Sequence, residues 1–264
     1  MQTGLDCQLQ RSTMRLFFTA FQFLTIIPLP FRLAYQDGDM GRSMRWFPLV
    51  GLALGALLAA LHYCLLFMFP EQIVALLLVA ALAALSGALH LDGLADVFDG
   101  FGARGNRERF LTVMKDSSTG AIGVVALVLG LLLKYQALLH LPAELKYGGI
   151  MVFPAAARYA QVLTTVGSKR ARDDGLGAQF IVAAGMKEVL IATATMLTAA
   201  FFLLGITGII CCLVAATFAW LSRSYFHGRL GGVTGDIIGC TSELVEILAL
   251  LAIIVCGKKL QGVL

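Results

Sequence analysis

Apolar residues run in long uninterrupted blocks along this 264-residue chain, separated by short segments rich in glycine, arginine and aspartate. The block from Trp46 to Phe69 is long enough to cross a hydrocarbon core of about 30 Å. The turn Pro70-Glu71-Gln72 and a return block over 73–90 follow it. Blocks at 121–139, 148–167, 188–204 and 207–226 predict four more crossings, the last two meeting at Gly205-Ile-Thr-Gly208. A final block, 244–256, is short for a full span, so six or seven crossings are expected. Each must be helical, because lipid gives the backbone no partner for its N–H and C=O groups. Upstream, residues 1–15 are polar, and the apolar stretch 16–31 is broken by Pro28 and Pro30. That stretch reads as an interfacial or re-entrant helix ending at the Pro-Leu-Pro turn, not as a cleaved signal peptide. The expected fold is all-α: one polytopic, membrane-embedded helical domain over residues 1–264.

Composition agrees with that class. The chain is 59% hydrophobic and 14% charged, far from a soluble globular mix. Six cysteines lack any C-x-x-C spacing and several lie inside apolar blocks, which points to small core residues rather than a disulfide frame or zinc site. Gly51-x-x-x-Gly55 offers a small-residue face for close helix packing, and such faces also make a homodimer credible. The net charge of +4 matters less than where the basic residues sit. They gather before Arg45 and in the segments 91–117, 168–187 and 223–242, whereas the alternate loops carry only Lys146. By the positive-inside rule the first set is cytoplasmic, with the C-terminus left open.

The candidate chemistry gathers on that side. In HLDGLADVFDGFGARGNRERFLTVMKD, residues 90–116, Asp92, Asp96 and Asp99 stand at i, i+4 and i+7. On a helix they share an arc of about 60°. Stacked carboxylates repel unless a cation or a proton offsets them, and a hard ion such as Mg²⁺ is the natural counter-charge. The bland alternative is a solvated acidic helix end. Asp173-Asp174-Gly-Leu-Gly177 and Gly231-Gly232-Val-Thr-Gly235-Asp236 put glycines beside carboxylates, where backbone approaches a ligand closely or simply turns. Asp236 and Glu243 share a face if the last helix starts early; capping by Thr241 or Ser242 accounts for Glu243 equally well. Arg158 lies inside the fourth span, where a charge faces an acidic partner or substrate phosphate rather than lipid. Lys134, near the far end of its span, is expected to snorkel. His90 reads as a base, a ligand or a boundary residue.

HLDGLADVFDG, a Met-Lys-Asp-Ser stretch, an arginine in a later span, DDGLG and GGVTGD leading to Glu246 together resemble the adenosylcobinamide-GDP ribazoletransferase (cobalamin synthase) family. The resemblance implies a membrane phosphotransferase in vitamin B12 nucleotide-loop assembly, acting with Mg²⁺. It would join adenosylcobinamide-GDP to α-ribazole or its 5′-phosphate and release GMP. The site it implies lies at the cytoplasmic face of a bacterial or archaeal cytoplasmic membrane, and nucleic acid is not an expected partner. Asp92, Asp96 and Asp99 would hold metal, with Asp116 completing the site or acting as base and His90 beside them. Arg104, Lys115 and Arg158 would grip phosphate, and the loop carrying Gly232 and Asp236 would hold the nucleotide or a second metal. Asp96-Val-Phe-Asp99-Gly100-Phe-Gly-Ala103-Arg104 is also similar to the first half of the CDP-alcohol phosphotransferase signature, whose second half is absent, Val113 standing where its glycine belongs. A transporter, or a metal-binding membrane subunit without chemistry, is the alternative class.

Overall fold

The computed structural model describes residues 2–103, 105–172 and 176–260, and among them the chain is helical with no strand. The helices are α1 (Gln2–Leu24), α2 (Asp39–Ser43), α3 (Phe47–Leu65), α4 (Glu71–Leu85), α5 (Leu89–Gly102) and α6 (Arg107–Val113). They continue with α7 (Ala121–Leu139), α8 (Lys146–Thr165), α9 (Leu176–Ala183), α10 (Met186–Leu204), α11 (Ile206–Leu230) and α12 (Gly235–Leu260).

The bundle is built around α8. Every residue from Val152 to Val162 is buried, Arg158 and Gln161 included. Helices α3, α10, α11 and α12 surround it. The Gly51-x-x-x-Gly55 face lies directly on α8: a β-carbon at Gly51 would stand 2.6 Å from the Ala155 Cα, and one at Gly55 would strike the Met151 carbonyl. That face is therefore used for packing within the chain. Cys211, Cys212 and Cys240 are buried and free, as small core residues are.

By length and apolarity five helical stretches suffice to cross a membrane alone, and a sixth crossing arises if α4 and α5 count as one broken span. That count agrees with the expected six or seven once α8 is added: its 20 residues run from one end of the bundle to the other, and it falls short in apolarity only because its polar residues, Arg158 and Gln161, point into the bundle rather than at lipid. The final segment is corrected. It is not a short block starting at 244 but a helix from Gly235, apolar enough to span through Gly257. The N-terminal helix also starts earlier than expected, at Gln2, and stops at Leu24, before the Pro-Leu-Pro turn. Leu16, Ala20 and Leu24, one helical turn apart, are its buried stripe.

Helix α4 ends in a Schellman cap: Ala88 N–H donates to the Ala83 carbonyl at 2.8 Å and Gly87 N–H to Ala84 at 2.9 Å. Gly87 (φ 60°) and Ala88 (φ 55°) are both left-handed there. The chain turns by 90° into α5, which is amphipathic and acidic and packs against α12 and α7.

Candidate functional site

Leu94 and Val97 of α5 are buried, which fixes the helix's rotation and puts Asp92, Asp96 and Asp99 on one adjoining stripe, as their spacing predicts. The helix can lie this close to the start of α12 because Gly93 has no side chain: a β-carbon there would stand 2.6 Å from the Asp236 carbonyl oxygen. Asp236 opens α12 directly opposite the acidic stripe.

Two loops hold the facing cation. Val233 pairs with the chain at 169–171: its N–H donates to the Lys169 carbonyl at 2.9 Å and its carbonyl accepts from Ala171 N–H at 3.0 Å. Arg107 ties the same loops, donating to the Leu230 and Ala171 carbonyls at 2.7 Å each. Gly232 permits this, since a β-carbon there would strike the Lys169 carbonyl oxygen. Its place in the structure is thus a close passage of two loops. The result sets Arg172 against Asp236, Nη2 to Oδ2 at 3.0 Å.

Asp92, Asp236, Arg172, His90 and Gln161 line one cavity of about 160 Å³ at this end of the bundle. Asp96 lies beside them. Burial first, then the charges of Asp92 and Asp236, push its carboxyl up to about 7 against a lowering pull from Arg172. Asp99 has another occupation: its two oxygens accept the Gly120 N–H at 2.6 Å and the Gly123 N–H at 2.8 Å, capping α7. Asp116 is exposed in the loop before α7, its carboxyl held below the usual range by the Ser118 N–H and hydroxyl. Lys115 beside it is exposed too. Among the described residues no three His, Cys, Asp or Glu side chains are arranged to hold a metal by themselves. The four aspartates expected around one ion are thus not assembled as a cage, because Asp99 caps a helix and Asp116 bonds its own loop. Arg104 and residues 173–175 lie outside the described residues.

Inside the membrane one expectation is made specific and another is overturned. Arg158 is wholly buried and has the acidic partner expected of an intramembrane charge, but that partner is Glu246 of α12 rather than an aspartate or substrate phosphate. Lys134 does not snorkel: it is 4% exposed and bridges Glu243 and Glu246, the latter at 2.6 Å. Glu243 and Glu246 lie one turn apart on α12, so two acids meet two bases in a neutral quartet. Capping by Thr241 or Ser242 falls away with the early start of α12; the Thr241 hydroxyl instead donates to the Ile237 carbonyl at 2.8 Å.

Arg172 and Gln161 went unremarked in the sequence, one among several loop arginines and the other a lone amide in a span. No local pattern marks either. Glu243 and Glu246 did carry a signal, since intramembrane acids require partners and Lys134 and Arg158 were the spare cations.

The chain matches the family model for cobalamin-5-phosphate synthase over residues 16–254. A relative from Geotalea daltonii, an adenosylcobinamide-GDP ribazoletransferase, is 54% identical over 246 residues, 93% of this chain and 99% of its own. Relatives of the same name from Pseudomonas aeruginosa strain PAO1 and Acetivibrio thermocellus are 40% and 34% identical, over 92% and 84% of this chain and 99% and 90% of their own. No solved structure matches.

Proposed function

The chain belongs to the cobalamin-5-phosphate synthase family, and on that premise we propose how its bundle end works. It joins adenosylcobinamide-GDP to α-ribazole or α-ribazole 5′-phosphate and releases GMP. A ribose hydroxyl of the acceptor attacks the cobinamide phosphorus, the new P–O bond forms, and the bridging oxygen leaves with GMP. The hydroxyl's proton passes to a carboxylate at the cavity, Asp92 or Asp236. Arg172 meets the pyrophosphate from the other side, since guanidinium suits bidentate phosphate contact. The observation that carries this reading is the meeting of Asp92, Asp236, Arg172 and His90 around one cavity, with Asp96 against them.

Mg²⁺ fits these residues. Burial, with the charges of Asp92 and Asp236 added to it, favours a proton on Asp96, so this corner is short of a cation, and Mg²⁺ is ordinarily held by one or two carboxylates together with water and substrate phosphate. Asp92 and Asp96 would hold it, and when bound it neutralises pyrophosphate charge. Asp99 keeps the stripe in place through α7. The whole site faces the cytoplasm, at a bacterial or archaeal cytoplasmic membrane, because the basic loops surround it.

The test is direct. Purified protein in nanodiscs receives adenosylcobinamide-GDP and α-ribazole, with and without Mg²⁺, and GMP and corrinoid product are followed. Product that requires metal supports the reading. Folded protein that forms no product but moves labelled corrinoid into vesicles overturns it in favour of transport.

A further inference from the structure

The cavity's lining is of two kinds. Asp92, Asp236 and Arg172 are its charged lining, while Phe23, Phe47 and Phe180, which touch one another, are an apolar wall, and Ile238 lines it as well. The three phenylalanines form one cluster, with Phe23 and Phe180 centroids 4.5 Å apart and Phe47 and Phe180 5.7 Å apart. At about 160 Å³ the space is below the roughly 300–1,000 Å³ usual for whole ligands. It admits one bicyclic aromatic base and excludes a corrin ring.

His90 and Gln161 supply a second, independent observation. They are 3% and 1% exposed, and both line the cavity. The Gln161 amide nitrogen stands 2.7 Å from His90 Nε2, which makes Nε2 the acceptor and leaves the ring proton on Nδ1. His90 Nδ1 and Gln161 Oε1 are then buried with no partner. Reversing the amide exchanges the two roles, and one open donor and one open acceptor still remain. Buried polar atoms left open cost stability unless a ligand completes them.

We propose that this cavity is the acceptor subsite, with the dimethylbenzimidazole of α-ribazole against the phenylalanine cluster and the His90–Gln161 pair completing its polar contacts. The assignment rests on the transferase reading above. One ring nitrogen of the base accepts the open donor, and a ribose hydroxyl donates to the open acceptor. The ribose then points away from the apolar wall toward Asp92 and Asp236, where its attacking hydroxyl is needed. Guanine is the competing bicyclic base, but it carries several donors and acceptors on its edges. Two open positions among phenylalanines would leave most of those unpaired, at a cost for each.

Gln161→Leu removes the amide while keeping an apolar filler at a buried position. The expected result is a KM for α-ribazole raised about tenfold or more, with KM for adenosylcobinamide-GDP within about twofold of wild type. A rise confined to adenosylcobinamide-GDP, or no change in either, overturns the assignment. A second measurement needs no turnover. In Ile238→Cys, α-ribazole should slow alkylation of residue 238, read by mass spectrometry, whereas GDP should not. Protection by GDP alone, or by neither, overturns it as well. A wild-type protein without transferase activity would instead count against the parent reading, and the protection experiment still reports on the cavity.

Discussion

Asp96 sits where two neighbouring carboxylates press on it and one guanidinium relieves it, and its titration has a definite sign. Its ordinary value is 3.8 and in the folded, metal-free protein it rises to about 7. Between those values the folded state keeps a proton that the unfolded chain has released, so stability is fullest below about pH 4 and falls as pH rises toward about 7. Thermal unfolding of metal-free protein at about pH 5 and about pH 8 should therefore give the lower Tm at the higher pH. Added Mg²⁺, or Asp96→Asn, should shrink that difference; an unchanged one in both would show that Asp96 is not its source. In turnover, Asp92→Asn and Asp96→Asn should each lose on the order of 10² to 10³. Asp99→Asn, which keeps an acceptor for α7, should retain more activity than either, while Asp99→Ala should cost about 0.5–2 kcal/mol of stability as a lost cap. Rates equal to that of Asp92→Asn would return Asp99 to the reacting centre. The stripe of three aspartates was legible from spacing alone. That one of them caps the next helix was not, because a carboxylate's partner 21 residues away leaves no trace in periodicity.

At the scale of helices, the site depends on α5 lying against the first turn of α12. Gly93→Ala would drive a β-carbon to 2.6 Å from the Asp236 carbonyl, so the helices must separate. A stability loss of about 1–3 kcal/mol is expected, with turnover falling while Mg²⁺-independent folding persists. Wild-type turnover from that variant would show that the close approach is dispensable. The quartet is the second device at this scale. Glu246→Ala leaves Lys134 and Arg158 facing one carboxylate inside the bundle, which should cost about 3–5 kcal/mol and deplete folded protein in the membrane. Combining Glu246→Leu with Arg158→Leu should be milder than Glu246→Ala alone, measured as monodisperse protein recovered in detergent. An early start of α12 was the condition for Asp236 and Glu243, seven apart, to share a face, and the helix does begin at Gly235. The apolar block from 244 masked it, since hydropathy marks where lipid begins rather than where hydrogen bonding begins.

Beyond the buried quartet, polar contacts gather at two ends of the molecule. At one, the start of α5, Arg172 and the first turn of α12 line the cavity. At the other, Glu71 accepts from Lys146 at 2.7 Å and contacts His62 at 3.0 Å, joining the α3–α4 turn to the start of α8. Their orientation is testable: a cysteine at Ser117 should react with an impermeant maleimide only in inverted vesicles, and one at Glu144 only in right-side-out cells. The reverse pattern would place the active end outside.

Hydropathy, loop charge and the spacing of three aspartates were enough to determine the class, to set the expected orientation and to mark a candidate segment for the chemistry. Each follows from local physics: lipid excludes unpaired backbone, charges sort across a membrane, and a helix repeats every 3.6 residues. Tertiary structure alone decided that Arg158 and Lys134 answer to Glu246, that Asp99 serves α7, and that Arg172 and Gln161 reach the cavity. Those outcomes depend on which helix faces pack together, and a face chooses its neighbour through shape and buried charge contributed by the whole bundle.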